Sequence, residues 1–276
     1  MIDFRQIAGV VMDMDGVLWR GNEALPGLTA FFDFLRARAL PFALATNNSR
    51  MSQRDYVEKL ARMGVHDIRL EQIVTSGTAT AAYVQRHYPA GSTIHVLGGD
   101  GLREVLTNAG YRVTGALDLS AVAVTVGLDF ELTYEKLKHA TLTLHAGADF
   151  IATNGDLTFP SPEGLIPGAG SIAAALIAAS GRQPISMGKP AAPMFEAAIA
   201  VMGTDAQHTL MIGDRLDTDI AGAAALGLPT ALVLTGVTTR EDAATAPVRP
   251  DAVFEGLIDL MNTWEKHGRA GSIPAL

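Results

Sequence analysis

Residues 8–17 read Ala-Gly-Val-Val-Met-Asp-Met-Asp-Gly-Val. An apolar, β-branched run that ends in two carboxylates at i and i+2, followed by a glycine, describes a strand running out into a turn. Its period of two sets Asp13 and Asp15 on the same side of the chain. Two acids so placed can divide labour: an oxygen of one attacks an electrophile or binds a cation, while the other carboxyl moves a proton. The same letters also fit an Asp-Gly turn with no chemistry, so the stretch gains meaning only from its surroundings.

Runs of the same kind recur. Pro41–Ala45 leads into Thr46, Thr209–Ile212 into Gly213-Asp214, and Thr230–Leu234 into Thr235-Gly236. Helical patterns lie between them, such as Gln53–Met63, where Tyr56, Val57, Leu60 and Met63 recur at helical spacing, and Pro193–Met202. This alternation predicts an α/β fold with a Rossmann-like, doubly wound parallel sheet, in which polar groups at the strand C-terminal ends face a ligand crevice. The middle of the chain has its own rhythm, with strands expected at Thr93–Leu97, Ala121–Val126 and Phe150–Thr153 and helices at Gly101–Ala109 and Tyr134–Ala146. A second, inserted α/β unit is therefore expected. No internal repeat is evident; the Ala/Gly-rich segment 169–181 reads as a tightly packed helix, and a frayed tail is expected from about Lys266.

Composition removes several options. The 276 residues contain no cysteine, which excludes disulfides, thiolate metal sites and a cysteine nucleophile, and 48% apolar residues suffice for buried cores. A formal net charge of −8 with no basic block argues against a nucleic-acid partner and against an anionic membrane surface. The charge-free stretches Gly164 to Gly181 and Ile220 to Thr239 are broken by Pro167, Gly168 and Gly170 and by Gly222, Gly227, Pro229 and Gly236, so helix–loop–strand units are expected there rather than membrane spans. The start, Met-Ile-Asp-Phe-Arg, lacks a basic region followed by an apolar run, so a cytoplasmic location is the default expectation.

Three further constellations accompany the first. Leu44-Ala45-Thr46-Asn47-Asn48-Ser49 is a strand end whose hydroxyl, amides and backbone N–H groups suit a phosphate oxygen, or, equally, cap a helix through Asn48 or Ser49. Met187-Gly188-Lys189-Pro190 allows a close backbone approach and holds a lysine extended, whose ammonium either reaches a shared anion or lies in solvent. In Gly213-Asp214-Arg215-Leu216-Asp217-Thr218-Asp219 a strand ends in three acids within six residues. Asp214 with Asp13 would make the oxygen-rich site that Mg²⁺ prefers, while the other acids cap the next helix.

In order and content these four pieces resemble the haloacid dehalogenase superfamily of aspartate-nucleophile phosphatases, whose D-x-D, Thr/Ser, Lys and G-D-x-x-x-D pattern is matched at every place. Asp13 and Thr46 are 33 residues apart and Lys189 and Asp214 25, yet Thr46 and Lys189 are 143 apart, so a unit is inserted between the second and third motifs. The wording Asp-Met-Asp-Gly-Val-Leu-Trp-Arg-Gly, Ala-Thr-Asn-Asn-Ser and Ile-Ala-Thr-Asn-Gly-Asp is similar to the NagD and p-nitrophenylphosphatase branch, which carries a large α/β cap. The resemblance implies a discontinuous catalytic core of residues 1–78 plus 186–276 and a cap of 79–185 that sets specificity, with hinges near Ser76-Gly77 and Pro184–Ser186. It also places the cap loop Ala152-Thr153-Asn154-Gly155-Asp156 over the active site, making Asn154 and Asp156 candidate substrate-facing residues, although Asn154-Gly155 equally suits a strand-ending turn.

The resemblance further implies a Mg²⁺-dependent phosphatase of small phosphomonoesters, such as sugar, nucleotide, glycolate or cofactor phosphates. Asp13 is the expected nucleophile, forming an aspartyl-phosphate, and Asp15 the acid and base. Thr46, Asn47 and Lys189 are the expected phosphate-binding residues. Asp13, Asp214 and the Asp15 carbonyl would hold the metal, with Asp219 behind them and Asp217 a surface acid. The expected partner is a small phosphorylated metabolite, and a homodimer through the cap is allowed. The competing readings are a phosphomutase or phosphotransferase on the same scaffold and a non-hydrolytic phospho-aspartate switch.

Overall fold

The computed structural model describes residues 2–48, 51–161 and 163–268, so Ser49 and the tail beyond Gly268 lie outside the described residues. The chain divides into two compact units. The first comprises Met1–Thr46, Gln53–Ile73 and Phe195–Leu276, the second Asn47–Ser52 and Val74–Met194. The sequence expectation set the divisions at 78/79 and 185/186 instead; the segment carrying Lys189 falls in the second unit.

The first unit is built on a parallel sheet in the order Ala252–Phe254, Thr230–Val233, Thr209–Gly213, Gly9–Met12, Phe42–Thr46, with Ile73–Thr75 at the far edge, where the chain leaves the unit. Gly9–Met12, Phe42–Thr46 and Thr209–Gly213 are buried throughout, as expected of parallel strands covered on both faces. Register fixes the strand ends: Met12 pairs with Ile212 on one side and Leu44 on the other. Asp13, Thr46 and Asp214 therefore finish three neighbouring strands at the same edge, where α/β sheets bind their ligands. The helix Leu28–Ala37 buries Phe31, Phe32 and Leu35, and the Phe32 ring meets Phe42 edge-on at 5.1 Å. Trp264 packs on Phe4 and Phe34 from a helix, Leu257–Gly268, that carries regular structure past the expected start of the tail.

The second unit has a five-stranded parallel sheet in the order Ile185–Ser186, Asp149–Ala152, Ala123–Val126, Thr93–Leu97, Arg112–Thr114. Its core joins Leu97, Val124, Val126 and Phe150 to Ala140, Leu144, Ile172 and Leu176 of the flanking helices Tyr134–His145 and Ala169–Ser180. The 169–181 segment is the packed helix expected of it, preceded by a hairpin of Thr158–Ser161 and Gly164–Pro167. No helix among the described residues is long and apolar enough to cross a membrane. Of the segments expected to hinge, Ser76-Gly77 and the Ile185-Ser186 part of the second lie in regular structure, whereas Pro184 lies just before its strand. Ser76 and Gly77 open the helix Ser76–His87, capped by Thr75, while Ile185 and Ser186 pair with Ile151 and Ala152.

Candidate active site

Asp13, Asp214 and Asp219 are all buried, and one oxygen from each lies within 4.8 Å of the other two. Like charges so close in a desolvated place repel strongly, so the donor set of carboxylate oxygens fits a hard divalent cation. The main chain holds each acid. The Asp13 N–H donates to the Ile212 carbonyl at 2.9 Å, continuing the ladder one residue past the strand, and Asp214 Oδ2 accepts from the Val237 N–H at 2.8 Å. Asp219 Oδ2 accepts from the N–H groups of Asp214 and Arg215 at 3.2 and 3.1 Å, tying the strand end to the turn that follows. That turn, Leu216–Ile220, is π-helical, with the Ile220 N–H reaching Arg215 O at 3.1 Å; the extra residue per turn brings Asp219 back under the strand end. Asp217 points elsewhere. It is exposed and paired with Arg215 at 2.9 Å, which holds its carboxyl below the usual carboxylate range.

Three glycines make room for this cluster. A Cβ at Gly236 would lie 1.8 Å from Asp214 Oδ2, one at Gly16 2.5 Å from the same atom, and one at Gly213 2.3 Å from the Asp219 Cβ. Gly16 also takes φ 83°, which the Asp-Gly turn requires, so the turn reading of this stretch holds.

Asp15 is exposed, and its Oδ1 accepts the Trp19 indole N–H at 2.8 Å. Trp19 stacks on Tyr56 at 6.3 Å, and the Lys59 ammonium lies 4.1 Å from a Trp19 ring centroid. Burial pulls Lys59 below its ordinary value, against the charge of Asp15, which raises it. Burial chiefly, then the Asp15 charge, pushes the Tyr56 phenol up, and a hydrogen bond with the Thr46 side chain works the other way. Thr46 is buried at the end of its strand.

The remaining candidates meet in the second unit. The Asn47 side-chain N–H donates to the Lys189 carbonyl at 2.9 Å and faces the Asp156 carboxylate at 3.4 and 3.5 Å. Asn154 Nδ2 donates to the Asn47 carbonyl at 3.0 Å, and the Ser76 hydroxyl donates to the same oxygen at 2.9 Å. The Asp156 N–H donates to Asn154 Oδ1 at 3.1 Å, so the strand-ending turn weighed for Asn154-Gly155 is present as an Asx turn. Gly188 permits the crowding: a Cβ there would lie 2.6 Å from Asn47 Oδ1 and 2.9 Å from Asn154 Cβ. Lys189 is buried, and its bond to Pro190 is cis.

The structure thus gathers Asp13, Asp214 and Asp219 in one constellation and Asn47, Asn154, Asp156 and Lys189 in another. Sequence reasoning missed Trp19, Tyr56 and Lys59. Tyr56 was absorbed into an apolar helical stripe. Trp19 was legible only as part of the wording after Asp15, although its spacing of four residues across a tight turn is a signal for a return contact.

A parallel α/β core whose neighbouring strands end in buried carboxylates, with a second α/β unit inserted, is an architecture suited to cation-assisted hydrolysis at strand ends. Residues 10–112 match the family described as Haloacid dehalogenase-like hydrolase and residues 186–260 the family described as HAD-hydrolase-like. The chain belongs to the haloacid dehalogenase-like hydrolase family, as a hydrolase of its NagD and p-nitrophenylphosphatase-like phosphatase branch. It is 36% identical to an acid sugar phosphatase of Staphylococcus aureus over 262 residues, covering 95% of this chain and 100% of the relative. Among solved structures, NagD from Escherichia coli K-12 superposes with a TM-score of 0.84 at 32% identity, covering 91% of this chain and 97% of NagD. A p-nitrophenyl phosphatase from Archaeoglobus fulgidus gives a TM-score of 0.86 at 32% identity, covering 93% and 99%.

Proposed function

We propose that the chain is a Mg²⁺-dependent phosphatase that hydrolyses small phosphomonoesters through an aspartyl-phosphate on Asp13. The observation that carries this reading is the buried trio Asp13, Asp214 and Asp219, with Asp15 two residues beyond the nucleophile and outside the trio. In the first half-reaction a carboxylate oxygen of Asp13 bonds to phosphorus as the ester P–O bond breaks, and Asp15 gives its proton to the departing oxygen. In the second, Asp15 takes a proton from water, whose oxygen bonds to the same phosphorus as the Asp13 O–P bond breaks, releasing inorganic phosphate and restoring both acids.

The Asp13 and Asp214 carboxylates with the Asp15 carbonyl would hold the Mg²⁺, and Asp219, through the N–H groups of Asp214 and Arg215, orients their turn. When bound, the ion offsets the negative charge of nucleophile and phosphoryl group. Thr46 donates to phosphoryl oxygens, and Lys189 supplies a fixed positive charge. Asn47, whose side-chain amide is engaged with the Lys189 carbonyl, contributes its main-chain N–H and keeps Lys189 in place. Asp156 and Asn154 contact the alcohol half of the substrate, so the second unit sets specificity. Sugar phosphates, named by the staphylococcal relative, and aryl phosphates, named by the archaeal one, head the substrate class. Nucleotide, glycolate and cofactor phosphates complete it.

The test is phosphate release from a panel of these esters with and without Mg²⁺, comparing the wild type with Asp13→Asn and Asp15→Asn. Mg²⁺-dependent turnover that Asp13→Asn abolishes is the expected result. Isomerisation without phosphate release would instead indicate a mutase, and stable labelling without turnover a switch.

A further inference from the structure

The acid/base carboxylate is the least constrained member of the site by burial alone. Asp15 is exposed, whereas Asp13 and Asp214 are buried among backbone donors. An exposed aspartate samples several rotamers, and its two oxygens are equivalent unless something tells them apart. Trp19 does so. The turn from Met14 folds back on itself, with the Leu18 N–H on Met14 O at 2.8 Å and the Gly16 N–H on Trp19 O at 2.8 Å, which returns Trp19 to Asp15. The indole is fully buried, and its single N–H, donor only, ends on Asp15 Oδ1 at 2.8 Å.

Trp19 is itself clamped. The helix Gln53–Arg62 presents Tyr56 and Lys59 three residues apart, on one face. Tyr56 stacks on the indole with an interplanar angle of 17°, and the Lys59 ammonium sits 4.1 Å from a ring centroid. A cation over the ring face draws electron density from the π system and strengthens the N–H as a donor. We infer that Trp19 is a positioning residue for Asp15: its indole N–H occupies Oδ1, fixes the carboxyl rotamer, and leaves Oδ2 to carry the proton given to the ester oxygen and then taken from water. A carboxylic acid whose carbonyl oxygen accepts from the indole has its O–H on the other oxygen, so one hydrogen bond assigns both oxygens their roles. This inference rests on the acid/base role proposed above for Asp15.

The test exploits leaving groups. Proton donation matters for an alkyl phosphate, whose alkoxide leaves poorly, and little for nitrophenyl phosphate, whose phenolate leaves well. Replacing Trp19 by benzothienylalanine, a sulfur-for-NH isostere, keeps ring size and stacking while deleting the donor; Trp19→Phe is the second variant. Both are expected to lower kcat/KM about tenfold on a sugar phosphate, equivalent to ~1.4 kcal/mol, and less than about twofold on nitrophenyl phosphate, with KM unchanged. Lys59→Met should show the same selectivity at about threefold. Equal losses on both substrates, or none in the isostere, overturn the inference, since a purely structural role would not separate leaving groups. Asp15→Asn is run alongside. If it fails to discriminate between the two substrates, the acid/base reading has failed, and the Trp19 role falls with it; discrimination by Asp15→Asn but not by the isostere overturns the Trp19 role alone.

Discussion

The two units are parallel sheets flanked by helices, yet their strand ends hold opposite chemistry. In the first, Gly9–Met12 and Thr209–Gly213 run into Asp13 and Asp214, and glycines give way so that the carboxylates crowd together. In the second, Thr93–Leu97 runs into Gly98-Gly99 and Ala123–Val126 into Gly127, and there the glycines serve packing. A Cβ at Gly98 or Gly127 would stand 3.2 Å from Leu102 Cδ2, so the following helix sits close on the sheet. The polar residues of the second unit, Asn47, Asn154 and Asp156, brace one another through neutral amides and backbone carbonyls. The architecture therefore does not set the chemistry; the two or three residues past each strand do.

That contrast can be broken in graded ways. Asp214→Asn strikes it hardest: at a Mg²⁺ concentration that saturates the wild type, activity should fall by about three orders of magnitude, since the charge of a proposed ligand is lost. The same variant relieves repulsion within the trio, so the metal-free protein should melt higher than wild type. Mg²⁺ at about a hundred times its Kd, which should stabilise the wild type by ~2.7 kcal/mol, should then have little effect. Calorimetry with and without the ion reads both. Gly236→Ala should displace Asp214 without removing a charge and weaken metal affinity by about 10–100-fold in a calorimetric titration, as loss of orienting contacts does.

Smaller effects are expected in the second unit. Asn154→Ala removes the donor to the Asn47 carbonyl and the acceptor of the Asx turn, and should cost about 1–3 kcal/mol in denaturant unfolding while leaving Mg²⁺ affinity unchanged. The gentlest probe is acid. Burial holds His95 below its ordinary 6.5, with a hydrogen bond to Ala116 and the charge of Asp118 opposing, and His139 and Arg103 adding to the depression. The unfolded chain then takes up a proton that the folded one refuses. Stability is complete above pH 6.5 and declines as pH drops through that value toward the folded pKa. His95→Gln should flatten this slope in unfolding curves from pH 7.5 to 5.5, read over roughly one unit on either side of the free histidine pKa.

How much of this was legible follows from what carries each feature. Strands such as Thr93–Leu97 and helices such as Gln53–Arg62 declare themselves by local hydrophobic periodicity, so their bounds agree with the reading to a residue or so. Asp13, Thr46 and Asp214 were legible because each ends a strand, and register alone then brings the strand ends together. The π-turn at Leu216–Ile220 was read as an ordinary capped helix start, because one extra residue per turn leaves no mark on composition. The short hairpin Trp19–Arg20 with Glu23–Ala24 was also missed, being too brief for a period of two to register. The Trp19, Tyr56 and Lys59 group depends on a helix packing against a distant turn, which no local pattern encodes.

The central claim is that Asp13 is the nucleophile. The direct measurement is rapid mixing with a sugar phosphate and Mg²⁺, an acid quench within one turnover, and peptide mapping of the covalently bound phosphoryl group. A phosphoryl group on the peptide spanning Asp13, absent from Asp13→Asn and lost as inorganic phosphate is released, is the outcome expected. Turnover that persists in Asp13→Asn, or phosphate released with no acid-stable label on that peptide, would contradict it.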